Sequence, residues 1–272
     1  MPVLIYSSEC PAGRNIANAL LPRLKPAPKS ACGAHELPTW MDGRGITLIE
    51  FNKRLSSEAE ELSALSLPQD ELVVFLSRHA SKEKRPCFTV HAAGNWTQEP
   101  NWGGRPGELA KTSATALAAA IQSLQNNCLQ GFTVDLEATH HGPTNLSWSS
   151  LFVEVGSSET EWQNQTVCAV VAQACLAACN PIYATEKQVA IGIGGTHYCP
   201  KFGKLEGKEY LFSHVCPKHS ADYLNAGLLR QAIEKTVEKV DCVVIDWKGL
   251  SSQQKLKTKE ICESLSIPTE RA

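Results

Sequence analysis

The stretch EATHHGPTN, Glu137 to Asn145, sets two adjacent histidines three residues after an acid and just ahead of a Gly-Pro break. Paired imidazoles in a short polar loop are not needed to fill a core. Similar groups recur along the chain. One apolar run ends in Arg78 and His79, and a second carries His91 with Asn95 behind it. A third is followed by Ser158 and Glu159, and a fourth leads into GTHYCP with His197 and Tyr198. Seven of the eight histidines lie between residues 79 and 219. Imidazole and carboxylate donors gathered in one pocket suit a zinc-type ion, with one position left for water. The ion lowers the pKa of that water toward neutrality, and a nearby carboxylate can take its proton. Glu137 is the candidate base, because FTVDLEA sets it on one strand face with Asp135 and Thr133, opposite Val134 and Leu136.

Those groups need strand ends to carry them. Short Val-, Ile- and Leu-rich runs predict strands at Val3–Ser7, Ile46–Phe51, Leu72–Ser77, Cys87–Ala92, Phe132–Ala138, Leu151–Ser157, Val189–Gly194 and Cys242–Trp247. Helical patterns fall at Pro11–Leu24, Gly107–Gln125, Glu159–Ala178, Ser220–Val240 and Ser252–Leu265. The alternation points to a three-layer α/β/α fold with a mixed, mostly parallel sheet, and nothing splits residues 1–272 into separate domains. Only nine residues, Arg78 to Pro86, separate two of the strands, too few for a parallel crossover. Those strands are therefore antiparallel if adjacent, which sends His79 and His91 to opposite ends of the sheet. His140 and His141 also point opposite ways unless the Gly142-Pro143 break turns the backbone.

Several other chemistries are weaker. His197-x-Cys199 and His214-x-Cys216 invite a zinc-finger reading, but the spacing between them and the proline after each cysteine are atypical. GIGG, Gly192 to Gly195, starts like a dinucleotide fingerprint, yet His197 stands where the third glycine belongs and Pro200 follows. Neither a G-x-S-x-G elbow nor a phosphate-binding P-loop occurs. The loop Gly94–Leu109 precedes a predicted helix whose amides could hold a phosphate, while Trp96 or Trp102 could stack a base. Eleven scattered cysteines without a C-x-x-C pair read as reduced thiols, and Cys168, Cys175 and Cys179 share one helix face as small apolar residues. The absence of a signal-peptide pattern and of any run of roughly 18 apolar residues leads us to expect a cytoplasmic protein with no membrane span. Net charge is −2, so any nucleic-acid partner must be met by local basic segments such as Lys82–Arg85 or the Lys-rich stretch Lys201–Lys259.

Taken in order, SRHAS, TVHAAGN, DLEATHHGPT, FVEVGSSETEW, IGIGGTHYCPKF, HVCPKH and the late DWKGL resemble the archaeal and plant type of D-aminoacyl-tRNA deacylase. The opening SSECPAGRNI resembles that family too. The resemblance implies a zinc-dependent, usually monomeric hydrolase that cleaves the ester between a D-amino acid and the 3′ end of tRNA. It also implies a phosphorylase/hydrolase-like fold related to peptidyl-tRNA hydrolases, and a link to clearing aldehyde-modified D-aminoacyl-tRNA. Carried onto this chain, the motifs contain His79, His91, Asn95, Glu137, His140, His141, Glu154, Ser157, Ser158, Glu159, His197, Tyr198, His214 and Lys218. From these, His79, His91, His140, His197 and His214 are expected as metal ligands, and Glu137, His141, Ser158 and Glu159 as catalytic residues. Asn95, Tyr198, Lys201 and Lys218 are expected to bind substrate, with Lys204 and Lys208 as further phosphate contacts. Thr196 and Ser213 replace glycines usual in the family, and positions 199 and 216 are commonly small or aliphatic rather than cysteine. Two rivals remain: a non-catalytic RNA-binding protein whose histidines only order loops, and a zinc aminopeptidase or amidohydrolase acting on small substrates.

Overall fold

The structure is a computed structural model that describes residues 2–68, 70–181 and 187–272. Eight strands form the larger sheet: β1 (Val3–Ser7), β2 (Lys25–Cys32), β3 (His35–Met41), β4 (Thr47–Phe51), β5 (Leu72–Arg78), β6 (Cys87–His91), β7 (Thr133–Leu136) and β8 (Ser149–Gly156). Their order is β2-β3-β4-β1-β5-β8-β6-β7. The run β4, β1, β5, β8 is parallel, β2 and β3 form an antiparallel edge, and β6 lies antiparallel to β8 but parallel to β7. A second, all-parallel sheet contains β9 (Gln188–Ile193), β10 (Tyr210–Cys216), β11 (Cys242–Ile245) and β12 (Thr269–Arg271) in the order β10-β9-β11-β12.

Helices α1 (Pro11–Leu20), α2 (Leu55–Glu58), α3 (Ala114–Asn126), α4 (Glu159–Trp162), α5 (Gln165–Ala178), α6 (Pro200–Leu205), α7 (Ala226–Glu234) and α8 (Ser252–Ser264) complete the fold. Ile16 of α1, Leu117 of α3 and Val171 of α5 pack with Leu76, Val90, Leu136 and Val153 on one face of the large sheet. Cys168 and Cys175 face into that core. The other face is partly apolar, around Phe75, Phe152, Leu62 and Trp148. Its remaining part is polar and carries the site described below. The layer over this second face is thin, made of α2, the 3-10 turn Ala59–Ala64 and loops. β8 is buried along its whole length because strands flank both its edges and both its faces are covered.

All eight expected strands are present, but they divide between two sheets. Four more strands escaped the pattern. β2 and β3 contain Pro26, Pro28 and Pro38 and lie largely exposed at an edge, where proline is tolerated and alternation weakens. β10 carries Ser213 and His214 inside a buried run, and β12 is only three residues long. The helix expected from Gly107 begins at Ala114, because residues before it run extended against Ala93 and Lys235. The helix expected from Glu159 is two helices, since Asn164 caps the second. Residues 220–240 contain only α7, started by Asn225.

The N-terminus of α3 is also not open to a phosphate. Glu238 already accepts there from Ser113 Oγ at 2.7 Å, Ala114 N at 2.9 Å, Thr115 N at 3.0 Å and Thr115 Oγ1 at 2.6 Å. Burial pushes its carboxyl up, but these donors outweigh burial and hold it below the usual carboxylate value. A depressed folded pKa adds stability above the unfolded value, roughly 4.3, that is lost as pH falls through the folded pKa. Glu238→Gln should therefore cost about 1–2 kcal/mol at neutral pH. Urea unfolding of both proteins should show that difference shrinking in acid; an unchanged gap there would contradict it.

Candidate active site

Strand register explains where the polar groups collect. Opposed residues in an antiparallel pair share a face, so Cys87, Thr89 and His91 on β6 lie beside Gly156, Glu154 and Phe152 on β8. On its other side β8 aligns Phe152 with Phe75 and Glu154 with Ser77 of β5. Thr133 and Asp135 on β7 align with Cys87 and Thr89, and Glu137 continues that face beyond the strand. The polar residues thus form a strip across a sheet face, in which Thr89, His91, Phe152 and Glu154 lie within strands while His79, Glu137, His140, His141 and His197 lie just beyond strand ends. His79 and His91 approach it from opposite directions and meet. His79 Nδ1 is 3.1 Å from Glu137 Oε1, and His91 Nε2 is 4.0 Å from Glu137 Oε2; both nitrogens lie 3.8 Å from Glu154 Oε2. Antiparallel strands, expected to send these two histidines to opposite ends of the sheet, do not keep them apart, because β8 runs between their strands and the site is built across it.

After Glu137 the chain leaves the large sheet and bonds to the segment from the second one. Ala138 N donates to His197 O at 2.8 Å, and Thr139 N to Val215 O at 2.9 Å. His141 then takes a left-handed φ of 47°. That turn lets the two adjacent rings share one cluster: His91 lies 4.1 Å from His140 and 4.8 Å from His141, centroid to centroid, and His140 lies 4.7 Å from His197. Phe152 stacks on His91 with ring planes 1° apart.

A carbonyl oxygen only accepts, so the imidazole contacts fix tautomers. Nδ1–H of His91 donates to Ala92 O at 3.1 Å, that of His140 to Ala138 O at 2.8 Å, and that of His141 to Gly142 O at 2.6 Å. Each therefore carries its lone pair on Nε2. Donating the other nitrogen to a carbonyl is the usual support of a metal-bound histidine. His91, His140 and His141 form a group able to hold a metal ion; Glu137 with His140 and His197, and His79 with Glu137 and Glu154, form two adjoining groups. His91 Nε2 and both Glu137 oxygens are buried without a hydrogen-bond partner, since the Glu137 contacts to His79 and His197 are close but misaligned. A cation with imidazole and carboxylate donors fits these orphaned atoms.

Burial pushes the imidazoles of His91 down to about 3 and His141 down to about 4, and holds His140 well below its ordinary value, so all three are neutral, the form a metal requires. Burial also lowers His79. It acts on His197 in the same sense, but the contact with Glu137 outweighs it and raises that imidazole. Burial pushes both carboxyls up. For Glu154 the charge of Glu137 adds to that, so its carboxyl stays neutral well above the usual range; Thr89 Oγ1 contacts it at 3.3 Å. For Glu137 the surrounding histidines win and hold it ionised. The cluster opens into a cavity of about 570 Å³ lined also by Ser7, Cys10, Arg54, Arg78 and Trp102.

Residues 67–270 match the D-aminoacyl-tRNA deacylase family. The chain belongs to that family. The D-aminoacyl-tRNA deacylase of Thermococcus kodakarensis is 38% identical over 198 residues, 72% of this chain and 72% of its own. That of Methanococcus maripaludis strain C7 is 36% identical over 237 residues, 84% of this chain and 90% of its own. The crystal structure of AF0625, a conserved protein of unknown function, superposes with a TM-score of 0.88 at 29% identity, covering 100% of this chain and 95% of that one.

Within this deacylase-family fold, the expected site residues separate. His79, His91, Glu137, His140, His141, His197 and Tyr198 come together. Tyr198 hydroxyl lies 3.0 Å from His79 Nε2, while His79 Nδ1 faces Glu137 and belongs to the adjoining donor group with Glu137 and Glu154. His141, expected as catalytic, sits with His91 and His140. The other expected residues stand elsewhere. His214 is buried in β10 against Trp96, with Nδ1 3.3 Å from Thr139 Oγ1, and belongs to no metal-donor group among the described residues. Ser158 and Glu159 begin α4, where Ser158 forms a capping box with Glu161 and Glu159 is exposed. Asn95 Nδ2 donates to Gly103 O and Arg105 O, fixing the loop rather than facing the cavity. Lys201 is bound to Asp246 Oδ1 at 2.9 Å and Ala272 O at 2.8 Å. Lys218 lines a separate cavity of about 440 Å³ that also reaches His197. Cys199 and Cys216 are buried and belong to no metal-donor group among the described residues, which gives the zinc-finger reading no support.

Phe152, Ser77 and Thr89 were missed, and Glu154 had been noted only as a motif residue. Their signal was available: each sits two residues from another inward group in a strand, the alternation that singled out Glu137. Ser213 Oγ pairs with Thr236 Oγ1 at 2.8 Å, and Thr236 donates its own proton to Ala232 O at 2.7 Å, so the Ser213 hydroxyl is satisfied. His91→Ala or His140→Ala should lower the affinity for a divalent transition metal at least about tenfold, whereas His214→Ala should retain it. Equilibrium dialysis with elemental analysis decides; equal losses in all three variants would contradict the assignment.

Proposed function

We propose that this chain hydrolyses the ester joining a D-amino acid to the 3′ end of tRNA, releasing both, with a zinc ion held by His91, His140 and His141. The observation that carries the reading is three imidazoles gathered closely enough to share an ion, beside an ionised, unpartnered carboxylate, in a chain of the deacylase family. When bound, a zinc ion would bring the pKa of a water toward neutrality and polarise the ester carbonyl. Glu137 Oε2 faces His91 Nε2 and accepts the proton of the attacking water. Glu137 Oε1 faces His79 and His197, which keep the carboxylate in place and offer the proton a way onward. His197, half-exposed at the cavity, stands where it can donate to the leaving ribose oxygen. Tyr198 holds the His79 ring. The cytoplasm, where tRNA is charged, is the compartment this activity would serve.

Release of tyrosine from D-tyrosyl-tRNA and L-tyrosyl-tRNA, with and without prior chelation, tests both halves. Only the D form should be lost, with activity stopped by the chelator and restored by zinc. D-specific hydrolysis that survives chelation would remove the metal while leaving the substrate. No hydrolysis of either by folded, zinc-loaded protein would contradict the whole reading. Glu137→Gln should lower kcat by about 10²–10⁴-fold with bound zinc retained; full turnover would remove Glu137 as the base.

A further inference from the structure

Trp102 is more exposed than any other large apolar side chain among the described residues, at 72%, and it lines the mouth of the cavity that contains His140, His141 and His197. Trp96, its neighbour in the same loop, is 2% exposed and donates from its indole to Val215 O, so only Trp102 is available to a ligand. An indole left in water at a cavity mouth gains by being covered.

Its backbone is held from several sides. Asn95 binds the carbonyls of Gly103 and Arg105, and Arg105 N donates to Thr144 Oγ1 at 2.9 Å. Gly103 approaches Ser56 so closely that an added Cβ would stand 2.3 Å from its carbonyl oxygen. Gly104 packs against Gly142, the residue after His141, with equally little room. The platform is therefore fixed to the turn that carries the metal-donor histidines and to α2.

Two arginines reach the same mouth, alongside the exposed carboxylate of Glu9. Arg54 and Arg78 line it, both are exposed, and among the described residues neither lies within salt-bridge distance of an acid. Arg78 lies over the Trp162 ring at 5.2 Å, while the guanidinium of Arg54 makes no hydrogen bond or ion pair among the described residues. An exposed aromatic face beside exposed guanidinium groups is the combination that binds an unpaired nucleotide: the ring stacks on the base and the cations meet the phosphate. In an aminoacyl-tRNA the ester carbonyl is separated from the terminal adenine by a single ribose. A carbonyl seated at the histidines therefore leaves that adenine near the cavity mouth.

We propose that Trp102 is the stacking platform for the terminal adenine of the tRNA 3′ end, with Arg54 and Arg78 meeting the adjoining phosphates. This rests on the deacylase reading and adds the means of holding the substrate's end. The test uses zinc-loaded full-length protein and two deacylated tRNAs, one intact and one lacking only the terminal adenosine. The unmodified protein should bind the intact tRNA on the order of tenfold more tightly. Trp102→Ala should bind both alike, and Trp102→Phe should recover most of the preference. With D-tyrosyl-tRNA, Trp102→Ala should raise KM by a similar factor with little change in kcat, since the side chain touches no reacting atom. A preference for the terminal adenosine that survives Trp102→Ala, or no preference in the unmodified protein, overturns the proposal, as does failure to bind either tRNA. A Trp102-dependent preference in a protein that hydrolyses no aminoacyl ester would instead overturn the deacylase reading alone.

Discussion

An ionised carboxylate that is 1% exposed and has no hydrogen-bond donor aligned on either oxygen cannot stay buried unaided. Desolvating such a group costs several kcal/mol unless opposite charge and dipoles replace the lost water. Glu137 is that group, and much of the architecture follows from its need for compensation. His79 and His197 meet one oxygen, His91 approaches the other, and Glu154 stays neutral so that two negative charges do not face each other. The remaining electrostatic deficit is what a cation would fill.

The surrounding imidazoles are useful only because other parts of the chain fix them. Backbone carbonyls at Ala92, Ala138 and Gly142 set three tautomers without any carboxylate taking part. The second sheet supplies the rest. Thr139 pairs with Val215 through both its N–H and its hydroxyl, and His214 and Trp96 pack behind that pairing. Residues 137–141 are thus suspended between two sheets, with the large sheet fixing the acid and the small one fixing the histidine turn. His214 belongs to this support, which is why a motif histidine can be buried outside the metal-donor groups of the described residues.

Strands whose apolar runs were intact were legible in the sequence, as was the face on which Glu137 lies. β2 and β3 were not, because an exposed edge strand with prolines has neither burial nor alternation to reveal it. Helix ends were missed where polar caps, Ser113 and Asn164, sit inside otherwise helix-forming stretches. The site was legible as a set of residue types but not as a geometry. Spacing along the chain could not show that β8 would lie between β5 and β6 and bring His79 to His91. Nor could it show that Ser158 serves a helix cap and that Lys201 is spent on Asp246 and the C-terminus, since both depend on contacts distant in sequence or on local backbone shape.

The central claim is that His91, His140 and His141 hold the ion beside Glu137. X-ray absorption at the zinc edge on the metal-loaded protein tests it most directly. A first shell dominated by imidazole nitrogen, lost in His140→Ala and unchanged in His214→Ala and in the double substitution of Cys199 and Cys216 by Ala, is the expected result. A sulfur-containing shell, or a zinc spectrum indifferent to His140, would contradict it.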